Sequence, residues 1–278
     1  MKSEAVQRFD RTADGYLRWW APMLAPASVR MIDRLDRLDP GLPVGLARDV
    51  LDLGCGTGNG LFEAARRWPG ARLTGLDASV GMLAVARREG ARLSESTSRR
   101  IGYVEGDAEQ LPVPDASFDV VMSAFVLQQI PLRATVLREI RRALRPNGIV
   151  AISGWLVEVK PFPAEAAIEE GLADAGVVRP IRVDVRSGPY QSARTAAAEM
   201  RAAGFRRVAA RADRLDYPWT VEDYIAYRTT TRDLPLFEAL DEPTRLRAVA
   251  AIRRRLRGLG PEQLVHRAPI VSIVARRG

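Results

Sequence analysis

The stretch Val50-Leu51-Asp52-Leu53-Gly54-Cys55-Gly56-Thr57-Gly58 decides the fold of this chain. It reads as a short apolar strand that ends in a glycine-rich turn and continues into a helix. Glycines at positions 54, 56 and 58 allow the backbone to turn sharply and to approach a ligand more closely than a side chain would permit. A dinucleotide fingerprint would need glycine where Asn59 stands, and no Gly-Lys-Ser/Thr of a phosphate loop follows. By itself, such a turn is also compatible with a purely structural role.

Short apolar runs alternate with helical segments from about residue 49, which indicates βαβ units and a parallel sheet. The predicted strands are 49–53, 72–76, 101–105, 118–123 and 149–153, and the helices between them are 60–68, 80–88 and 133–144. Residues 3–39 read as helical with a break at Pro22 and Pro26. Two more strands, near 205–211 and 269–275, are separated by a mostly helical stretch that we expect to form a cap at one end of the sheet.

Composition excludes several classes of protein. The 278 residues are 47% hydrophobic, which rules out disordered and collagen-like chains. Met1–Trp20 lacks the apolar run of a signal peptide, and the longest apolar stretch, Ile149–Val157, is too short to span a bilayer. Because Cys55 is the only cysteine and His266 the only histidine, we predict no disulfide, no metal site and a reducing, cytoplasmic setting.

The formal net charge of +8 is concentrated at one end of the sequence. Residues 243–278 hold nine arginines and one acid, Glu262, whereas residues 1–242 balance. Apolar positions alternate with the arginines of the predicted helix at 243–257, which favours a solvated face. The alternative is that one or two of these arginines contact an acidic acceptor or partner.

Two carboxylates follow the next strands of the predicted sheet. Asp77 comes 25 residues after Asp52, about the spacing at which a second-strand acid accepts the hydroxyls of a ribose. The alternative role for Asp77 is that of a helix N-cap, for which Ser79 is an equal candidate. Asp107, in Gly106-Asp107-Ala108, places a further carboxylate at the rim of the sheet, where it could accept from an adenine amine.

Residues 49–153 resemble the class I S-adenosylmethionine-dependent methyltransferases, in particular the ubiquinone/menaquinone methyltransferase-like small-molecule group. The shared motifs, in the family's order, are the glycine loop, Asp77, Gly106-Asp107-Ala108, Phe118-Asp119-Val120-Val121 and Leu144-Arg145-Pro146-Asn147-Gly148. Fainter similarity extends to Tyr190–Val208 and to Phe9 and Tyr16. The resemblance implies an α/β, Rossmann-like fold: a seven-stranded, mostly parallel sheet with an antiparallel last strand, helices on both faces and a helical cap.

The same resemblance implies a division of the chain into three parts. Residues 1–48 would form an N-terminal helical segment covering the cofactor site, and residues 49–153 the S-adenosylmethionine-binding core. Residues 154–278 would complete the sheet, with substrate-cap insertions near 155–190 and 215–262.

The resemblance also implies a set of cofactor-binding residues. The glycines would line the methionyl part of S-adenosylmethionine, and Asp77 would hold its ribose. Further along the chain, residues 78, 82, 107 and 108 would contact the adenine, and residues 123 and 128 would face the methyl-transfer centre. Tyr16 is the weakest member, because an aromatic on a helix is more often part of a core. The full set is Tyr16, Asp52, Gly54, Cys55, Gly56, Gly58, Asp77, Ala78, Met82, Asp107, Ala108, Ser123 and Gln128.

The chain departs from the family at the position where many relatives carry a possible catalytic base. Many relatives carry a His-His pair where this chain has Gln128-Gln129, and glutamine cannot take up a proton at neutral pH. Two alternatives follow. Either the acceptor needs no base, because it is a carboxylate, a neutral amine or a pre-ionised enolate or phenolate, or a residue of the cap supplies the base. The catalytic candidates are Gln128, Tyr224 and His266, and Trp155 and Trp219 are the candidate walls of an apolar acceptor pocket. Alternatively, Tyr224 belongs to the core of the cap and His266 is structural.

The function favoured by the sequence is methyl transfer from S-adenosylmethionine to a small-molecule metabolite, at oxygen, nitrogen or carbon, in secondary-metabolite or quinone-type biosynthesis. A nucleic-acid methyltransferase ranks lower, because Ser123-Ala124-Phe125-Val126 stands where a base-flipping enzyme of this fold carries Asn/Asp-Pro-Pro-Tyr/Phe. The other alternative is a cofactor-binding domain repurposed for different chemistry. The acceptor and the oligomeric state stay open.

Overall fold

The computed structural model describes residues 3–37, 49–158, 160–179 and 187–278. The chain forms two compact units. The first comprises Met1–Val157, Val185–Asp213 and Pro269–Gly278, and the second comprises Glu158–Asp184 and Arg214–Ala268.

Helices alternate with strands through the first half of the chain, and helices predominate after the fifth strand. The helices are α1 (Glu4–Gly15), α2 (Ala21–Arg37), α3 (Asn59–Arg67), α4 (Val80–Gly90), α5 (Glu95–Ser98), α6 (Arg133–Ala143), α7 (Pro163–Asp174), α8 (Ala193–Ala202), α9 (Val221–Tyr227), α10 (Leu234–Glu238) and α11 (Glu242–Arg257). The strands are β1 (Asp49–Leu53), β2 (Arg72–Asp77), β3 (Ile101–Glu105), β4 (Phe118–Ala124), β5 (Leu144–Trp155), β6 (Phe205–Pro218) and β7 (Val265–Arg277).

The strands form one seven-stranded sheet in the order β3-β2-β1-β4-β5-β7-β6. The pairs β2–β3, β1–β2, β1–β4 and β4–β5 are parallel, and β5–β7 is antiparallel. The predicted fold, a mostly parallel sheet with an antiparallel last strand, is confirmed. Strand order reverses between β1 and β4, and open α/β sheets bind ligands at the carboxyl ends of the strands at such a point.

Apolar side chains cover both faces of the sheet. Leu51 and Leu53 of β1 belong to one buried cluster, whereas Val50 belongs to another that contains residues of α2 and α3. Because the central strands are buried on both faces, they read as continuous apolar runs in the sequence. This double burial fixes where β1 and β4 end, and therefore where the loops that follow them begin.

The helical N-terminal segment differs from the prediction in one respect. The expected break at Pro22 and Pro26 is wrong: α2 is helical throughout, with Pro22 in its first turn and Pro26 inside it. The backbone stays helical through the junction with the preceding turn, where Ala21 donates its N–H to the Tyr16 carbonyl, so neither proline interrupts the helix. The irregularity lies earlier, in a π-helical turn at Tyr16–Trp20 between α1 and α2. The predicted helical positions 38 and 39 lie outside the described residues.

The second unit is held by close helix packing and by buried ion pairs. The Cβ of an alanine at Gly171 in α7 would lie 2.7 Å from the Cα of Ile252 in α11, so the two helices touch backbone to backbone. The buried Arg228 guanidinium pairs with Glu165 and Asp233, each at 2.6 Å. Helix α7 lies in the stretch near 155–190, which the resemblance assigned to a substrate-cap insertion.

Candidate active site

The glycine loop between β1 and α3 adopts left-handed backbone conformations at Gly54, Gly56 and Gly58, with φ of 69°, 54° and 98°. At Gly54 a Cβ would lie 2.2 Å from Val126 Cγ2, and at Gly58 it would lie 2.4 Å from the Phe62 ring. Both positions therefore require glycine for packing as well as for φ. Gly56 differs, because only Tyr16 Cε1, at 3.8 Å, lies near its Cβ position. Gly56 consequently presents open backbone beside Tyr16.

The Asp77 carboxylate at the end of β2 ties this loop in place. Its Oδ2 accepts from the Gly56 N–H at 2.8 Å, and its Oδ1 accepts from the Ser79 N–H at 2.9 Å. Burial raises the pKa of Asp77, and the backbone donors oppose that rise. Each oxygen retains acceptor capacity after these contacts. The N-cap of α4 is Ser79, whose hydroxyl accepts from the Met82 N–H at 3.1 Å.

A cavity of about 30 Å³ lies at the loop. Its lining residues are Tyr16, Leu24, Ser28, Asp52, Gly54, Cys55, Thr57, Asn59, Gly60, Ala124 and Phe125. Burial, reinforced by the nearby Asp77, raises the pKa of Asp52 to about 7. The Thr57 hydroxyl is buried and has no hydrogen-bond partner among the described residues. The cavity thus combines a buried carboxylate with a hydroxyl that is available to a ligand.

Asp10 of α1, a residue that no sequence motif singled out, fixes the N-terminal segment against the loop region. Its Oδ1 accepts from the Ser79 hydroxyl at 2.6 Å and from the Gly81 N–H at 3.0 Å, at the N-terminus of α4. A Cβ at Gly81 would lie 2.5 Å from the Asp10 carbonyl oxygen, so glycine is needed for this approach. The Asn59 amide also donates to the Ala21 carbonyl at 2.7 Å. The only sequence signal of this close approach was Gly81, a glycine inside the predicted helix 80–88.

The remaining predicted cofactor residues surround the loop less directly. The fully buried Ser123 hydroxyl donates to the Leu53 carbonyl at 2.9 Å, so its donor is used within the sheet. Met82 packs with residues of α1, and Ala108 belongs to the core. Ala78 is half-buried. Asp107 is exposed at the rim, where its Oδ1 accepts from the Glu109 N–H at 2.8 Å.

Cys55 is part of the loop but its thiol is directed into the sheet. The Sγ atom lies 2.9 Å from the Cβ position of Gly75 in β2. Burial, together with the charges of Asp52 and Asp77, raises the pKa of the thiol well above its ordinary value. The group is therefore a neutral, packed thiol and no nucleophile.

Three aromatic side chains form a wall at the carboxyl ends of β4 and β5. Phe125, which lines the cavity, lies 4.4 Å from Trp155 between ring centroids, and Trp155 lies 6.1 Å from Trp20. Phe125 has a φ of 60°, which is unusual for a bulky residue and is found at functional sites. We call Trp20, Phe125 and Trp155 the aromatic wall. The structure thus brings the predicted Trp155 next to the cavity.

Gln128 lies just beyond this wall, in a 3-10 turn at Leu127–Gln129. Its side chain is 4% exposed, and neither amide atom has a hydrogen-bond partner among the described residues. A fully unpaired buried amide is rare in folded proteins and calls for a ligand or an ordered water.

Tyr224 and His266 both belong to the second unit. The Tyr224 hydroxyl donates to Glu165 Oε1 at 2.9 Å and accepts from Arg228 at 3.1 Å, and burial raises the pKa of Tyr224 well above its ordinary value. His266 stacks on Phe162 at 4.7 Å, and burial lowers the pKa of its imidazole to about 4. The hydroxyl is committed to an ion-pair network and the imidazole is neutral at pH 7, which favours the structural alternatives for both.

Four of the six arginines of α11, at positions 253, 254, 255 and 257, lie within 4 Å of acids of the same unit. Arg253 contacts Glu222 at 2.9 Å, and Arg255 contacts Asp174 at 2.8 Å. Exposed pairs of this kind contribute little to stability, because water screens their charges. They neutralise much of the local excess charge, which weakens the case for a nucleic-acid surface on this helix.

Metal-binding clusters and membrane-spanning helices are both absent from the described residues. No group of three or more His, Cys, Asp or Glu side chains there could hold a metal ion. In the same part of the chain, every helix is too short or too polar to cross a membrane.

The chain is similar in sequence to known methyltransferases. Residues 51–152 match the family model described as a methyltransferase domain. The chain is 37% identical over 141 residues to a malonyl-[acyl-carrier protein] O-methyltransferase of Xylella fastidiosa, covering 49% of this chain and 45% of that one. It is 29% identical over 258 residues to a nocamycin O-methyltransferase of Saccharothrix syringae, covering 87% of each. The predicted resemblance to the small-molecule methyltransferases is confirmed.

The chain covers different fractions of the proteins that it matches. The relatives above 30% identity are covered over only 39% to 55% of their own length. Among solved structures, the [4+2]-cyclase SpnF shares the fold, with a TM-score of 0.53 and 21% identity, covering 90% of this chain and 80% of that one. One fold thus accommodates different chemistries, so the residues of the site, and not the fold, decide the function.

Proposed function

Because residues 51–152 match the model of a methyltransferase domain, we propose that this chain transfers a methyl group from S-adenosylmethionine to a small-molecule acceptor. The observation that carries the proposal is the glycine loop, with open backbone at Gly56 held by the Asp77 carboxylate. When bound, S-adenosylmethionine supplies a methyl group on a cationic sulfur, which is already electrophilic.

The residues present fit this cofactor. The Cβ-free surface at Gly56 leaves room for close approach, and Thr57 offers an unpaired hydroxyl among the described residues. We assign the methionyl part to Gly54, Gly56 and Gly58, and the ribose to Asp77, whose oxygens can still accept. The buried Asp52 carboxylate would favour a cationic ligand once ionised.

The outer residues complete the proposed cofactor site. Ala78 and Met82 would cover the adenine, Asp107 and Ala108 would read its edge, and Tyr16 would cover the loop from the turn that follows α1. The N-terminal segment fastened by Asp10 is then the cover of the cofactor site.

The protein's own contribution would be positioning and exclusion of water. A base is needed only if the acceptor must lose a proton, and Gln128 cannot supply one. The aromatic wall would hold an apolar acceptor beside the cavity, in line with the methyl group. Holding the nucleophile in the attack geometry replaces acid–base catalysis as the main source of rate enhancement.

The test is incubation with methyl-labelled S-adenosylmethionine and a metabolite extract. A labelled small molecule supports the proposal. Binding without transfer would support a repurposed domain, and label in added RNA would support a nucleic-acid enzyme. Asp77→Ala should weaken cofactor binding at least about tenfold, whereas the exposed Asp216→Ala should not. The cytoplasmic setting and the biosynthetic pathway stay predictions.

A further inference from the structure

Gln128 and Tyr190 are two buried polar side chains that meet at the carboxyl end of β5. The Tyr190 hydroxyl, on a residue only 1% exposed, has no hydrogen-bond partner among the described residues, and the Gln128 amide shares this condition. A Cβ at Gly154 would lie 2.8 Å from Tyr190 Cε2 and 3.3 Å from Gln128 Oε1. Both side chains therefore converge on a single point, the backbone of Gly154, where even a methyl group would not fit beside the Tyr190 ring.

This point lies at the edge of the sheet where the glycine loop begins. Val126, two residues before Gln128, packs against Gly54 of the loop. The backbone of Tyr190 is fixed to β5, because its N–H donates to the Trp155 carbonyl at 2.8 Å and its carbonyl accepts from the Val157 N–H at 2.9 Å. The phenol and the amide are thus held on the rim that carries the proposed cofactor site.

The two side chains act as hydrogen-bond donors and not as bases. Burial raises the pKa of Tyr190 well above its ordinary value, so the phenol keeps its proton. The Arg133 guanidinium lies 3.9 Å from the centroid of the Tyr190 ring and adds positive potential, although it also pairs with Glu199 at 2.9 Å. A protonated phenol and an amide N–H₂ together suit an oxygen that carries negative charge.

We infer that Gln128 and Tyr190 hold the reacting oxygen of the methyl acceptor, which makes the reaction an O-methylation of a carboxylate, phenolate or enolate. This inference rests on the proposed function. An ionised oxygen can accept two hydrogen bonds and still present a lone pair, whereas a neutral amine has one lone pair and would lose it to a donor. The oxygen lone pair forms the O–C bond as the C–S bond breaks, and the C–S electron pair leaves with the sulfur, which becomes neutral. No proton has to be removed, which agrees with the absence of a base at Gln128.

The first test needs no acceptor. Tyr190→Phe removes a hydroxyl without a protein partner among the described residues, so the thermal midpoint of unfolding should stay the same or rise. The matched control is Tyr103→Phe, which loses a hydrogen bond from the hydroxyl to the Ala86 carbonyl at 3.2 Å and should lower the midpoint by about 2–4 °C. If Tyr190→Phe lowers the midpoint as much as the control does, the hydroxyl has a structural partner and the inference is overturned.

The second test uses the labelled product of the metabolite-extract assay. Its methyl carbon, identified by ¹³C NMR, should be bound to oxygen. Tyr190→Phe and Gln128→Met should each lower kcat/KM for that product at least about tenfold, while Kd for S-adenosylmethionine stays within about twofold. Tyr103→Phe should leave transfer unchanged.

The outcomes separate this inference from the function on which it depends. A product methylated at nitrogen or carbon, or unchanged kcat/KM in both variants, overturns the inference and leaves the proposed function standing. The absence of any labelled product with the wild-type protein overturns both.

Discussion

Gly56→Ala should separate the cofactor role of the glycine loop from its structural role. At a φ of 54°, an alanine costs about 1–2 kcal/mol of conformational energy, which the reduced entropy of the unfolded chain partly offsets. The new methyl group meets only Tyr16 Cε1, at an ordinary contact distance of 3.8 Å. The free energy of unfolding should therefore fall by only about 1 kcal/mol.

The effect on the cofactor should be larger than the effect on stability. A methyl group at this position would occupy space proposed for the methionyl part, and overpacking of one methyl group costs about 1–3 kcal/mol. Affinity for S-adenosylmethionine, measured by titration calorimetry, should accordingly fall roughly tenfold to a hundredfold. Urea unfolding of the same preparation gives the stability change.

Gly176→Ala is the matched control for backbone strain. Gly176 has a similar φ of 73° and nothing within 4 Å of its Cβ position, and it belongs to the second unit. It should lose a similar free energy of unfolding and no cofactor affinity. Gly54→Ala should lose markedly more stability, because its Cβ would lie 2.2 Å from Val126. Binding of S-adenosylmethionine by Gly56→Ala as tight as that by Gly176→Ala would refute the cofactor role of Gly56.

Four further predictions concern carboxylates and the second unit. The pKa of Asp52 in the folded protein, about 7, exceeds that of an unfolded aspartate. The protonated Asp52 carboxyl therefore contributes fully to the stability of the folded protein below pH about 4, and this contribution is lost as the pH rises to about 7. The wild-type protein should lose up to about 1.4 kcal/mol per pH unit relative to Asp52→Asn in urea unfolding across that window. Asp10→Ala should lower the free energy of unfolding by about 1 kcal/mol and speed hydrogen exchange in α1, whereas Asp14→Ala, which removes an exposed ion pair, should change exchange little. His266→Gln should leave the pH dependence of transfer unchanged, and Tyr224→Phe should lower the unfolding free energy by about 1.5–3 kcal/mol.

Each of these predictions has an outcome that contradicts it. A constant difference between the wild type and Asp52→Asn from pH about 4 to 7 would show that the carboxylate is ionised throughout. Equal exchange in Asp10→Ala and Asp14→Ala would remove the anchoring role of Asp10. Loss of the acidic limb of the pH–rate profile, the fall in rate as the pH drops, in the His266 variant would make that imidazole a base after all. An unchanged free energy of unfolding in Tyr224→Phe would show that its hydroxyl does not support the ion-pair network.

The sheet was predictable from the sequence because its central strands are buried on both faces. Such strands appear as unbroken apolar runs, and the glycine loop and Asp77 follow two of them at recognisable spacing. The predicted break at Pro22 and Pro26 is wrong because a proline removes only one backbone hydrogen bond, and the rest of the helix continues through both positions.

The contacts that assemble the site were less accessible to prediction. Asp10 meets Ser79 across 69 positions of sequence, and Tyr190 and Gln128 are brought together only because both pack against Gly154 of β5. Local patterns such as hydrophobic period and turn residues contain no information on pairings of this range. They predict the proposed cofactor half of the site, whose residues follow strands directly, but of the proposed acceptor half they predict only Gln128 and Trp155.

The most direct test of the glycine loop as the cofactor site is hydrogen exchange of the wild-type protein, followed by mass spectrometry, with and without S-adenosylmethionine. Exchange should slow at 54–58 and 77–82, where backbone amides adjoin the proposed cofactor, and in α1, which covers it. Unchanged exchange in these segments, or slowing confined to the second unit, would contradict the assignment of the glycine loop as the cofactor site.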